Sequence, residues 1–168
     1  MIYSRAEIAR ACRAWGPMLS VPAGVDGVTL LWALAGCESS FGADCTPRHE
    51  PAYDVGGPYA ENVEQATLLE LYGSAAACSY GPWQILLVNV RPQASPADMA
   101  RLGRCALATV SFLNREILAR EQARTVEEIA EAYNSGKWKW HAVPAGVARY
   151  AADCRRFYDS EPMPSEVG

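Results

Sequence analysis

The sequence has no surplus of basic residues, no closely paired cysteines, no long apolar run and no sustained alternation of apolar and polar residues. Each absence excludes something. Fifteen lysines and arginines against nineteen aspartates and glutamates leave a formal charge of -4. No basic face is concentrated enough to neutralise phosphates, so a nucleic-acid partner is not expected. The most apolar stretch, residues 28–36, is too short to span a bilayer, and no membrane span is expected. At the N-terminus, "MIYSRAEIARACRAWG" spreads charges among its apolar residues, which reads as an amphipathic helix and not as a signal peptide. Six cysteines include no C-x-x-C pair, and Cys45 with His49 has metal-like spacing but supplies only two ligands. No metal and no cofactor are expected. Cys45 and Cys78 bracket the longest irregular stretch and form a candidate disulfide for an oxidising compartment; buried free thiols are the plainer alternative.

What is present is a helical pattern. Half the residues are apolar and a fifth charged over 168 positions, enough to close one core. Ser4 with Glu7, Ser95 with Asp98 and Thr125 with Glu128 read as capping boxes that open helices. Asp26 caps the apolar helix that follows it, "AENVEQATLLELYG" closes on Gly73, and Pro144 opens the final helix. About six helices result. Residues 42–59, rich in glycine, proline and charge, are a long loop with room for a short hairpin. The fold class is mostly α, an α+β arrangement with one domain over residues 1–158, and residues 159–168 read as a loose tail. A monomer is expected.

One position conflicts with this pattern. Glu38 ends a helix that is otherwise apolar or small, where a carboxylate costs desolvation energy that a surface site would avoid. It opens the first of three short motifs: "ESSFG" at 38–42, "SYGPWQIL" at 79–86 and "EAYNSGK" at 131–137.

In that order the three motifs resemble those of the lytic transglycosylases of the soluble type and the related goose-type lysozymes, which show E-S-x-F, then G-L-M-Q, then A-Y-N-x-G. The resemblance covers roughly residues 30–136. It departs at Gly81-Pro82-Trp83-Gln84, where the family has G-L-M-Q, and in a longer span between Glu38 and Gln84, with an insertion at about 45–78. It implies a lysozyme-like fold with a catalytic cleft. Glu38 is then the catalytic acid, Gln84 a contact in the sugar cleft, and Tyr133 and Asn134 a wall and a hydrogen-bonding group beside Glu38. Ser39 and Ser79 are further substrate-binding candidates. Plainer readings stand beside these: Gln84 as a polar residue on an exposed helix face, and Tyr133 and Asn134 as the close of a helix with Gly136 as its cap. Trp138 and Trp140 are read as packing, outside the primary site.

The chemistry explains the awkward carboxylate. A glycosidic oxygen must be protonated as its bond breaks, and at neutral pH a carboxylic acid can do this only if burial has raised its pKa. Phe41, Trp83 and Tyr133 are the expected apolar neighbours. Glycosidases ordinarily add a second carboxylate; the loop offers Glu50 and Asp54, with Asp44 and Glu61 behind them, although a solvated charge is the plainer reading for each. The resemblance implies peptidoglycan glycan strands as the partner and cleavage of the bond between N-acetylmuramic acid and N-acetylglucosamine. Closure of a 1,6-anhydro ring makes the chain a lytic transglycosylase, whereas attack by water makes it a muramidase. Chitin or chitosan hydrolysis and a non-catalytic wall-binding module are the other readings. The wall lies outside the membrane, so delivery by a virion, a holin or a secretion apparatus is expected.

Overall fold

The computed structural model describes residues 2–90, 92–120, 125–136 and 143–165. Helix α1, Arg5–Trp15, begins at a reciprocal capping box in which Glu7 accepts from the Ser4 backbone N–H at 2.8 Å and Ser4 Oγ accepts from the Glu7 N–H. Asp26 Oδ1 accepts from the Thr29 N–H at 2.7 Å and starts α2, Gly27–Ser39. Every residue of α2 from Leu30 to Gly36 is buried, so this helix is the axis of the core.

Its end is abrupt. Ser40, Phe41 and Gly42 all have positive φ, which reverses the chain and folds the Phe41 ring under the helix, 4.4 Å from Trp32 and 5.1 Å from the ring of Phe157. Burial of that ring, worth about 1.5–3 kcal/mol, offsets a left-handed backbone that costs about 1–3 kcal/mol. Ser39 Oγ locks the turn by donating to Ala35 O and accepting from the Gly42 N–H.

Helix α3, Val63–Tyr72, is capped by Asn62 and closes on Gly73. Ser95 and Asp98 form the expected capping box, but it opens only α4, Pro96–Met99. Extended Arg101 then breaks the chain before α5, Leu102–Phe112, and Tyr3 Oη donates to the freed Ala100 carbonyl at 2.6 Å. The helix expected to open at Ser95 is therefore two. A wide π-helical turn, Leu113–Ile117, follows α5; Asn114 there donates to Met18 O and accepts from the Ser20 N–H, tying the turn to the loop after α1. Helix α6, Val126–Ser135, starts at the Thr125 capping box and stops at Gly136, φ 63°. Helix α7, Ala145–Ser160, follows Pro144 and packs along α2 and α6.

A small sheet completes the fold. Strands β1, Arg48–His49, β2, Cys78–Tyr80, and β3, Ile85–Leu86, form an antiparallel sheet in that order. The hairpin expected within 42–59 lies instead at β2–β3, around the turn 81–84, and the loop contributes only β1, with Arg48 opposite Ser79. Strands of two or three residues leave no alternation to read, and the partner of β1 comes after α3. The insertion is thus an excursion from one strand to the next, carrying α3.

The tail is also corrected in its first half. Helix α7 runs to Ser160, and the next residues lie on the core: Trp32 Nε1 donates to Glu161 O at 3.2 Å, Arg5 pairs with Glu161 at 2.5 Å, and the Arg13 guanidinium donates to Pro164 O. All six cysteines are free thiols; Cys45 donates to Gly42 O and Cys78 to Ser74 O, so the structure does not join this candidate pair. Among the described residues no helix is long and apolar enough to cross a membrane.

Gly81 opens the β2–β3 turn at φ 70°, and a methyl group there would overlap the Cys105 thiol. Gly24 has φ 87° with open space around it. Gly81→Ala is therefore expected to cost about 2–4 kcal/mol in urea denaturation, because overpacking adds to backbone strain. Gly24→Ala carries the backbone term alone and should cost about 1 kcal/mol.

Candidate functional site

The end of α2, the sheet and the end of α6 enclose a cleft of about 300 Å³ whose lining includes Glu38, Arg48, Glu50, Ser79, Gln84, Phe112, Tyr133 and Asn134. Two further cavities, of about 200 Å³ and 500 Å³, share Tyr53 and Asn89 with it. Together they make a groove that runs from Glu38 to Asn62 and Arg115.

Glu38 sits where the apolar helix meets this groove, its side chain 8 % exposed. Its Oε1 accepts from Tyr150 Oη at 2.8 Å, and its Oε2 lies 3.7 Å from Arg48 Nη2. Burial pushes its pKa above the ordinary value of 4.5; the Tyr150 hydrogen bond and the Arg48 charge pull it back, and the Glu50 charge pushes it up again. Desolvation wins because Arg48, the cation paired with Glu38 among the described residues, stands at a long distance and is shared. Arg48 Nε donates to Glu50 Oε1 at the shorter distance of 2.9 Å.

The sheet side of the cleft is a hydrogen-bonded chain. Ser79 Oγ donates to Gln84 Oε1 at 2.8 Å and lies 3.4 Å from Glu50 Oε1. Gln84 is not on a helix face. It closes the β2–β3 turn at φ 45°, nearly buried, and its amide donates to Gly81 O at 3.0 Å. Both ends of this side chain are thus engaged in the turn, and what it presents to the cleft is an edge.

Tyr133 and Asn134, in the last turn of α6, line the cleft as well as closing the helix. Tyr133 Oη donates to Trp83 O at 2.6 Å, while the Trp83 indole is fully buried and donates to Leu31 O at 2.8 Å. One turn residue therefore joins α6 to the middle of α2. Burial holds the phenols of Tyr133 and Tyr150 well above their ordinary pKa, so both stay neutral donors.

Several expectations are corrected. Of the apolar neighbours expected for Glu38, only Tyr133 lines the cleft; Phe41 and Trp83 belong to the core beneath it. Ser39 is buried and spends its hydroxyl on the end of α2, away from the cleft. Glu50 lines the cleft, whereas Asp54 does not: it binds His49 Nε2 at 2.6 Å and the Val55 N–H at 2.8 Å, contacts that hold its carboxyl below the usual range. Asp44 accepts from the Thr46 N–H outside the cleft. Trp138 and Trp140 lie outside the described residues. Among the described residues no cluster of three or more histidines, cysteines or carboxylates is arranged for a metal.

Arg48 and Tyr150 were not singled out in the sequence. Tyr150 falls on a stripe with Cys154, Phe157 and Tyr158, spacing that marks the buried face of α7 but not its bond to Glu38. Nothing distinguishes Arg48 from other loop charges. The chain matches no known protein family, no curated protein and no solved structure.

Two predictions follow from the electrostatics of Glu38. Tyr150→Phe removes a hydrogen bond that favours the carboxylate, so the Glu38 carboxyl should titrate at higher pH than in the parent chain, read by carbon NMR of the carboxyl group; an unchanged or lower midpoint would refute the arrangement. A raised folded pKa also means that Glu38 destabilises the fold once pH exceeds its unfolded value of 4.5, increasingly until the folded pKa is passed. Glu38→Gln should therefore unfold a few degrees above the parent at pH 7, and that difference should vanish below pH 4.

Proposed function

We propose that the chain cleaves the glycan strands of peptidoglycan as a lytic transglycosylase of lysozyme-like fold, with Glu38 as its acid and base. The observation that carries this reading is a buried carboxyl group, its pKa raised by desolvation, at one end of a cleft that continues into two further cavities. The order of the "ESSFG", "SYGPWQIL" and "EAYNSGK" motifs supports it, since residues of all three line one cleft.

In this reading Glu38 gives its proton to the glycosidic oxygen between N-acetylmuramic acid and N-acetylglucosamine. The carboxylate left behind is stabilised by the two groups already aimed at it, the Tyr150 hydroxyl and the Arg48 guanidinium. That carboxylate then removes the proton from the 6-hydroxyl of the muramic acid, whose oxygen attacks the sugar carbon and closes the 1,6-anhydro ring. Asn134 and the exposed edge of Gln84 face the sugars, and Tyr133 walls the cleft.

A second reading is favoured by one specific observation, the presence of Glu50 in the same cleft. There it could orient a water, and the reaction would become hydrolysis by a muramidase. Its Oε1 is already engaged by Arg48 Nε at 2.9 Å, so the transglycosylase reading, which needs no second carboxylate, stands first. The substrate lies outside the membrane, so the protein must be delivered to it.

Purified peptidoglycan incubated with the protein should release soluble fragments ending in 1,6-anhydro-muramic acid, identified by mass spectrometry. Glu38→Gln should lower that release by roughly two orders of magnitude or more. With Glu50→Gln, anhydro product should persist, whereas fragments with reducing ends whose release requires Glu50 would establish the muramidase. Binding to the wall without release by the parent chain would make it a non-catalytic module.

A further inference from the structure

Helices α2 and α7 lie antiparallel, with contacts that run in opposite directions along the two chains. Glu38, at the end of α2, meets Tyr150 near the start of α7, a methyl group on Gly36 would sit 3.0 Å from Phe157, and the N–H of Asp26, at the start of α2, meets Tyr158 Oη near the end of α7. Gly36 is buried at this seam, where Phe157 leaves no room for a side chain. Cys37 adjoins Glu38, and Cys154 lies four residues from Tyr150 on the same helix face. The contacts on either side thus bring the two cysteines opposite each other, with the Cys37 thiol near enough to raise the pKa of Cys154.

We propose that Cys37 and Cys154 form a disulfide when the chain folds under oxidising conditions, fastening the helix that carries Glu38 to the helix that carries Tyr150. The oxidant is a small-molecule or protein disulfide. Cys37, half-buried and the more accessible of the two, attacks it as a thiolate and expels one thiol. The thiolate of Cys154 then attacks the mixed disulfide at the Cys37 sulfur and expels the second. Two thiols lose two protons and two electrons, and the oxidant takes up both as two new thiols. In the closed fold Cys154 is fully buried, so an external oxidant meets Cys37 first.

The other cysteines are differently placed. Cys45, Cys78 and Cys105 each donate to a backbone carbonyl. The bond between Cys37 and Cys154 would close most of the chain into one loop, the case in which a crosslink restricts the unfolded state most.

The test is disulfide mapping, which is independent of any activity. The full chain, reduced and unfolded, is refolded in a glutathione redox buffer, its free thiols are alkylated, and its peptides are analysed without reduction. The expected result is one linked pair, Cys37 with Cys154, with the other four cysteines alkylated and an unfolding temperature roughly 10 °C above that of the reduced protein. Cys37→Ser should yield no linked peptide and lose the difference between oxidised and reduced samples; its half-buried site keeps the test valid even where Cys154→Ser fails to fold. Six alkylated cysteines after oxidative refolding, or a bond between Cys45 and Cys78, would overturn the proposal.

Discussion

Burying one carboxyl group at the end of an apolar helix is the constraint around which the other elements arrange themselves. Glu38 cannot turn to solvent without unwinding α2, because Ser40, Phe41 and Gly42 reverse the chain directly behind it and Phe41 is pinned between Trp32 and Phe157. The carboxyl group must therefore be partnered from elsewhere. Helix α7 supplies the Tyr150 hydroxyl and β1 supplies Arg48. A neutral donor at 2.8 Å and a shared cation at 3.7 Å satisfy the group without fully solvating its charge. That intermediate state is what the proposed role of Glu38 as an acid near neutral pH requires.

The turn between β2 and β3 connects this site to the core. Four successive residues each do something different: Gly81 adopts a positive φ against Cys105, Pro82 continues the turn, Trp83 reaches into α2, and Gln84 folds back onto Ser79. Trp83 also accepts the Tyr133 hydrogen bond through its carbonyl. Displacing the turn would thus move the α6 wall and the sheet wall of the cleft together, which makes the cleft a rigid feature of the core and not of its loops.

Much of the fold was legible because helix signals are local. Capping boxes at Ser4, Ser95 and Thr125, the Asp26 cap and the stops at Gly73 and Gly136 all involve residues a few positions apart, and each exists in the structure. Glu38 was legible for a related reason: its charge contradicts its own helix. Arg48 and Tyr150 were not, because nothing near either residue announces its partner, and Tyr150 is 112 positions from Glu38. The sheet escaped because its strands are too short to alternate, and the break at Arg101 escaped because the carbonyl it frees is satisfied by distant Tyr3. Motif matching also placed residues better than it assigned them work. Gln84 does reach the cleft, yet its amide is occupied by the turn, and Ser39 serves the end of its helix alone.

The distribution of charge among Glu38, Arg48 and Glu50 carries the argument one step further. One guanidinium stands between two carboxyl groups, and it bonds Glu50 at 2.9 Å while standing 3.7 Å from Glu38. With Glu38 protonated, these three groups are neutral together, Arg48 against Glu50, and the buried one of them carries no charge. Once Glu38 releases its proton, the same three groups hold a net negative charge, and Arg48 gains a second anion to approach. An arginine fork can serve two carboxylates through different nitrogens, as Nε and Nη2 already do here. The new charge is therefore met by a short movement of a side chain already in place, and the resting arrangement is prepared for both forms of its acid.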